Sequence, residues 1–126
     1  MENRPESATR RQFEEGRELF NQRRFFEAHE AWERAWLVEQ GPARRLLQGL
    51  IQIAAGFHKA GSGVAGGCVR LLEAGLDKLS AEAPDPALDA FSGAVRASLA
   101  EARRWERGEV SGITEFPGLL PLAGVR

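Results

Sequence analysis

The 126-residue chain has no tyrosine, one methionine, one cysteine and two histidines. Each shortage closes off a class of structure. A lone cysteine, Cys68, cannot staple the chain to itself, so no internal disulfide supports the fold. Its neighbours are small or apolar, which suits a buried, inert thiol in a reducing cytoplasm. No stretch reaches the roughly 20 apolar residues that a membrane span requires. The opening run, MENRPESATRRQ, has no apolar segment of the kind a secretory leader carries. The expected location is therefore cytoplasmic, with no membrane partner. An excess of one charge is missing too: 17 Lys and Arg stand against 18 Asp and Glu, for a net charge of −1. Nucleic-acid surfaces need a basic excess, so no nucleic-acid partner is expected. Strand-like alternation is absent as well, and with it any phosphate loop that would follow a strand.

What the chain does have is apolar residues at helical spacing. Residues 1–8 read as a disordered tail, 9–108 as one helical bundle, and 109–126 as an extended C-terminal tail packed on that bundle. Thr9-Arg10-Arg11-Gln12 has the form of a capping box, in which hydroxyl and amide each satisfy a free backbone N–H. A first helix then buries Phe13, Gly16, Leu19 and Phe20 and ends near Asn21. The second covers roughly Arg24 to Glu39. At 100° per residue, Phe25, His29, Trp32 and Trp36 share its apolar face, with Phe26 and Glu33 on one flank. Gly41-Pro42 breaks the pattern and opens a third helix to about Ala60, apolar nearly all round. His58 is expected on its broad apolar face, in line with Leu47, Ile51 and Ala54. Gly49 and Gly56 lower helix propensity, which close approach of a neighbouring helix would offset. "GSGVAGG" is a flexible turn before a fourth helix, about Val64 to Ser80. Asp85 and Pro86 are a good N-cap and first residue for a fifth, ending near Gly108.

The first four helices show a weak internal repeat. Gly16, Ala28, Trp32 and Ala35 have the spacing of packing residues in a tetratricopeptide unit, and Gly56, Cys68, Leu72 and Gly75 repeat it. The expected fold class is all-α: a five-helix bundle of two tetratricopeptide-like hairpins plus a C-terminal helix.

Three segments carry a family resemblance: "FNQRRFFEAHEAWERAW", "LLQGLIQIAAGFHKAGSGVAGG" and "LLEAGLDKL". Together they resemble the bacterial and archaeal domain-of-unknown-function 309 family over roughly Phe13 to Leu79. The resemblance implies a small all-α bundle and no established activity. By position, it marks His29, Glu30, Glu33, Gln52 and His58 as signature polar residues. The chain departs from the pattern in "GSGVAGG", which replaces the commoner Gly-Asn-x-x-Gly-Ala.

Two readings of these polar residues stand. In one, His29, Glu33, Gln52 and His58 form an internal network that fixes two helices in register, with Trp32 and Trp36 as core or as the wall of a groove. The chain is then a non-enzymatic module that binds a protein or peptide. In the other, His29, Glu33 and His58 hold a divalent transition metal, Zn, Fe or Mn, between helices two and three. An open coordination position then activates water for hydrolysis, with Glu30 as base. A zinc-protease helix is not met, because that motif needs His at i and i+4 and position 33 is Glu. A homodimer through the fifth helix and the tail would cover Trp105 and Phe116.

Overall fold

The computed structural model describes residues 5–122, with side chains from Thr9 onward. Five helices follow one another: α1 (Pro5–Asn21), α2 (Phe25–Val38), α3 (Ala43–Gly61), α4 (Ala65–Leu79) and α5 (Pro86–Glu106). There is no strand among the described residues. The expected all-α bundle is the observed one, and each helix from α2 on packs on the one before it in sequence, α5 reaching α4 across the Pro84-Asp85 corner.

Local chemistry sets most of the boundaries. The Asp85 carboxylate accepts from the backbone N–H groups of Ala87 and Leu88 at 2.9 and 3.2 Å, and Pro86 occupies the first turn, where its missing N–H costs nothing. At the first helix the expected cap is overturned. α1 begins at Pro5, so Thr9 lies inside the helix rather than ahead of it. Its side chain is buried and its Oγ1 has no hydrogen-bond partner. Residues 5–8 are therefore helical; the rest of the expected N-terminal tail, residues 1–4, lies outside the described residues.

Three helices end in the same way. Arg23, Gly63 and Gly108 all have left-handed backbones, with φ of 64°, 79° and 79°. At each site the next residue's N–H reaches back to a carbonyl five positions earlier: Arg24 to Leu19, Val64 to Lys59 and Glu109 to Arg104, all at 2.9 Å. The left-handed residue itself bonds three positions back, to Phe20, Ala60 and Trp105 respectively. This paired pattern satisfies carbonyls that a helix end otherwise leaves open. Glycine takes the left-handed conformation without strain; Arg23 does so at a cost of about 1–2 kcal/mol. Its guanidinium lies 5.2 Å from the Phe116 ring centre, a cation–π contact that offsets part of that cost.

The α1–α2 and α3–α4 hairpins thus repeat at an interval of 40 residues. Their packing repeats as well. A Cβ on Gly16 would overlap the Trp32 indole, and one on Gly56 would crowd Leu72 at 3.0 Å. α3 and α4 approach so closely that a Cβ on Gly49 would sit 3.1 Å from the Gly75 carbonyl. Small residues at these points let helix backbones come together. The likeness to tetratricopeptide units rests on the spacing of eight residues alone.

Phe20 is the centre of the core. Its ring lies 5.1 Å from Phe25, 5.6 Å from Trp32, 6.0 Å from Phe57 and 5.5 Å from Phe91, measured between centroids. One ring from α1 therefore joins α2, α3 and α5. Trp32 is fully buried, and its Nε1–H donates to the Phe13 carbonyl at 2.9 Å, so its only polar atom is satisfied.

After α5 the chain has no further helix up to residue 122. Pro117, Pro121, Gly112 and Gly118 make helix unfavourable there. The segment runs extended and is tied down at intervals. Glu101 accepts from both the backbone N–H and the hydroxyl of Thr114; the Ser98 hydroxyl donates to the Glu115 carbonyl. Asn21 holds Leu119 from both sides: Oδ1 accepts its N–H at 2.8 Å and Nδ2 donates to its carbonyl at 3.0 Å. Arg17 donates to the same carbonyl at 2.9 Å. Leu119 and Leu122 are buried by this arrangement.

Two outcomes are expected. Gly16→Ala should cost about 1–3 kcal/mol in urea unfolding through overpacking, and Gly56→Ala less, because the end of a leucine yields more readily than an indole. Equal losses would contradict this account. Asn21→Ala should loosen the C-terminal segment selectively: amide exchange at Leu119 should accelerate while the amides of α3 stay protected.

Candidate functional site

Successive residues on a helix project 100° apart, so Phe25 and Phe26 cannot both face the core. Phe25 turns in and Phe26 turns out, to 47% exposure. Phe26 lies at the edge where α2 meets α3, and around it the surface is concave. A cleft of about 410 Å³ opens between the two hairpin turns, with Arg23 and Arg24 on one side and Gly61 and Ser62 on the other. A smaller recess of about 100 Å³ continues from it along the α2–α3 seam, lined by Phe26, His29, Ala55, His58 and Lys59. Phe26 and His58 border both.

The two imidazoles meet across this phenylalanine. The Phe26 ring centre is 5.9 Å from that of His29, nearly parallel at 27°, and 5.3 Å from that of His58. His29 is half-buried, and its Nδ1 is shielded with no hydrogen-bond partner. His58 is exposed, which corrects the expectation that it faces inward. Its neighbours along that face, Leu47 and Ala54, are covered by the bundle, but position 58 lies in the last turn of α3, where the cleft opens.

The other candidate residues lie apart. Gln52 accepts from Lys78 Nζ at 2.8 Å and so joins α3 to α4, and it is not among the residues that line the recess. Glu30 and Glu33 are exposed on α2. Trp32 is core, while Trp36 is half-buried beneath Arg44, whose guanidinium carbon is 3.8 Å from the indole centre. Among the described residues, no group of three or more His, Cys, Asp or Glu side chains is arranged to hold a metal ion. His29, Glu33 and His58 therefore do not form such a set in this structure, and Glu30 is not placed with the imidazoles. Cys68 is fully buried, and burial pushes its thiol up to about 11, which leaves it protonated near neutrality.

The sequence pattern did not single out Arg23, Arg24, Phe26 or Lys59 as a group. The paired phenylalanines were the available signal, because one of two adjacent rings must sit at a helix edge. The rim is largely basic: Arg23, Arg24, Lys59 and the imidazole of His58 against Glu27. Glu27 forms an exposed ion pair with Arg24 at 3.4 Å. A hydrogen bond from its own backbone N–H holds its carboxyl below the usual range; desolvation opposes this, and the hydrogen bond and charge of Arg24, with the charge of His58, add to the lowering.

The fold is a small all-α bundle of repeated hairpins with one aromatic, cation-rimmed cleft at the turns. The family model described as Domain of unknown function (DUF309) matches residues 13–71, which covers α2, α3, most of α1 and the first half of α4. The resemblance drawn from the sequence is supported over these residues. No curated protein and no solved structure matches the chain.

The shielded, unpartnered Nδ1 gives a direct test of why His29 is there. A histidine kept for core stability would be costly to lose. Here His29→Leu should leave the urea midpoint unchanged or raise it slightly, because an unsatisfied buried nitrogen is replaced by an apolar group. A loss of several kcal/mol would show instead that His29 is part of a stabilising network.

Proposed function

We propose that this chain is a binding module whose cleft at Phe26 takes an acidic segment of a protein partner, one that carries an apolar side chain among carboxylates. The observation that carries the reading is the placement of Phe26, an exposed ring at the junction of two recesses, ringed by Arg23, Arg24, His58 and Lys59. An aromatic floor offers contact area for an apolar side chain. Guanidinium and ammonium groups at the rim steer and orient carboxylates and add a salt-sensitive component. The rigid scaffold behind the cleft, Phe25 against Phe57 at 5.3 Å, means that little ordering accompanies binding. A module of this kind needs no bond-making step, and neither imidazole is paired with a carboxylate that would set it up as a base.

Peptide titration followed by backbone amide shifts tests the reading. An acidic peptide with a central leucine or phenylalanine should move the resonances of residues 23–29 and 55–62, more weakly as salt is raised. The lysine-substituted version of the same peptide should leave them in place. Phe26→Ala and the pair Arg24→Glu, Lys59→Glu should abolish the shifts with helical content unchanged, since all three side chains are exposed. Equal response to both peptides would overturn the proposal. So would tight binding of added Zn, Fe or Mn that is lost in His29→Ala and His58→Ala, which would favour the metal-dependent hydrolase.

A further inference from the structure

The shared helix endings place α1, α3 and α5 in one register. Aligning Arg23, Gly63 and Gly108 sets Gly16 of α1 and Gly56 of α3 against Glu101 of α5. Gly49, Gln52 and Ile53 of α3 likewise match Ala94, Ala97 and Ser98. In α1 and α3 these positions are where the second helix of the hairpin lies. Gly16 is covered by Trp32, Gly56 by Leu72, Gly49 by Gly75 and Leu79, and Gln52 is bonded to Lys78. On α5 the same face has no second helix. Pro117 falls where Trp32 and Leu72 stand in the other two units, and the extended segment covers only one flank, through Thr114, Glu115 and Phe116. What remains is a cleft of about 420 Å³ bordered by Ala94, Ala97, Ser98, Glu101 and Arg104. A hairpin face is present without its hairpin.

We infer that a second copy of this chain supplies the missing helix, α5 packing antiparallel on α5 about a two-fold axis near Ala97. The hairpins themselves are antiparallel, so the added helix runs in the sense that α2 has on α1. Along the outer edge of the face, Ala90, Gly93, Ala97 and Ala100 are exposed at alternating spacings of three and four. That is the seam spacing of two helices wound together, and a Cβ on Gly93 would meet nothing within 4 Å in the isolated chain. Charge selects the direction and the partner. Asp89 stands at the start of this face and Arg104 at its end. Antiparallel apposition about Ala97 brings Asp89 of each copy near Arg104 of the other, giving two opposite-charge contacts from one surface. Parallel apposition would set like against like. Arg96 lies beside the axis, near Arg96 of the other copy, and this repulsion is screened along with the attractions, so raising the salt should weaken the contact less than two such pairs alone would suggest. A self-complementary surface is what a two-fold interface requires.

Sedimentation equilibrium on the full chain tests this. The wild type is expected as a dimer at high micromolar concentration. Ala97→Arg should give the mass of a single chain with unchanged circular dichroism, because residue 97 is exposed in the monomer. Asp89→Arg alone and Arg104→Glu alone should each weaken association at least tenfold. Combining them on one chain restores both opposite-charge contacts and should recover the dimer. A wild type that stays monomeric overturns the inference, as does a dimer indifferent to Ala97→Arg. Failure of the double variant to recover what the single variants lose would overturn the antiparallel arrangement.

Discussion

Trp32 lying flat on Gly16 is the contact on which the rest of the structure depends. The indole is the largest buried side chain, and only a residue without Cβ leaves room for it on α1. Its Nε1–H reaches the Phe13 carbonyl, so the ring enters the core with no orphaned donor. From that anchor Phe20 is set at the centre of the molecule, in contact with rings from three other helices. Phe25 is then held inside, and Phe26, its neighbour, is forced to the edge. The cleft is thus a by-product of how the core is seated.

That chain of constraints explains what could be read from the sequence. Helix number, the Pro42 and Asp85-Pro86 starts, and the inward stripe of α1 and α2 follow from local rules that tertiary packing did not override. Thr9 shows the limit of such rules. Its capping motif is a good local signal, yet helix continues through Pro5–Ala8 and leaves the hydroxyl buried inside it. Helical periodicity also misjudged His58. An angle of projection tells which way a side chain points from its own axis, but it does not tell where the neighbouring helix ends. At the last turn of α3 there is nothing to cover the ring. Gln52, expected in a network with the histidines, bonds Lys78 of α4 instead: α3 has neighbours on both flanks, and its pattern alone does not say which of them a polar residue will meet.

The cleft was harder to see still, because it is made where two turns lie side by side. Arg23 and Arg24 are 34 to 39 residues from His58, Gly61 and Ser62 in sequence, and only the stacking of one hairpin on the other brings them together. Of the residues picked out for chemistry, His29 and His58 do share a recess, while Glu30, Glu33 and Gln52 go elsewhere. A half-buried imidazole with a shielded, unpartnered nitrogen is not the economical choice for a core position. Its proximity to Phe26 links it to the surface that the binding proposal uses.

The triple recurrence of one helix ending bears on how such a molecule is put together. The joints at Arg23 and Gly63 are 40 residues apart and that at Gly108 follows 45 later, so α1, α3 and α5 all end in the same backbone geometry. Linear arrays of helix hairpins are modular: their length changes by whole units, and each unit is answerable only to those beside it. Here the series is interrupted by composition, not by geometry. The joint at Gly108 is as well formed as the other two, and the prolines that follow it decide that the chain unrolls instead of turning back as another helix.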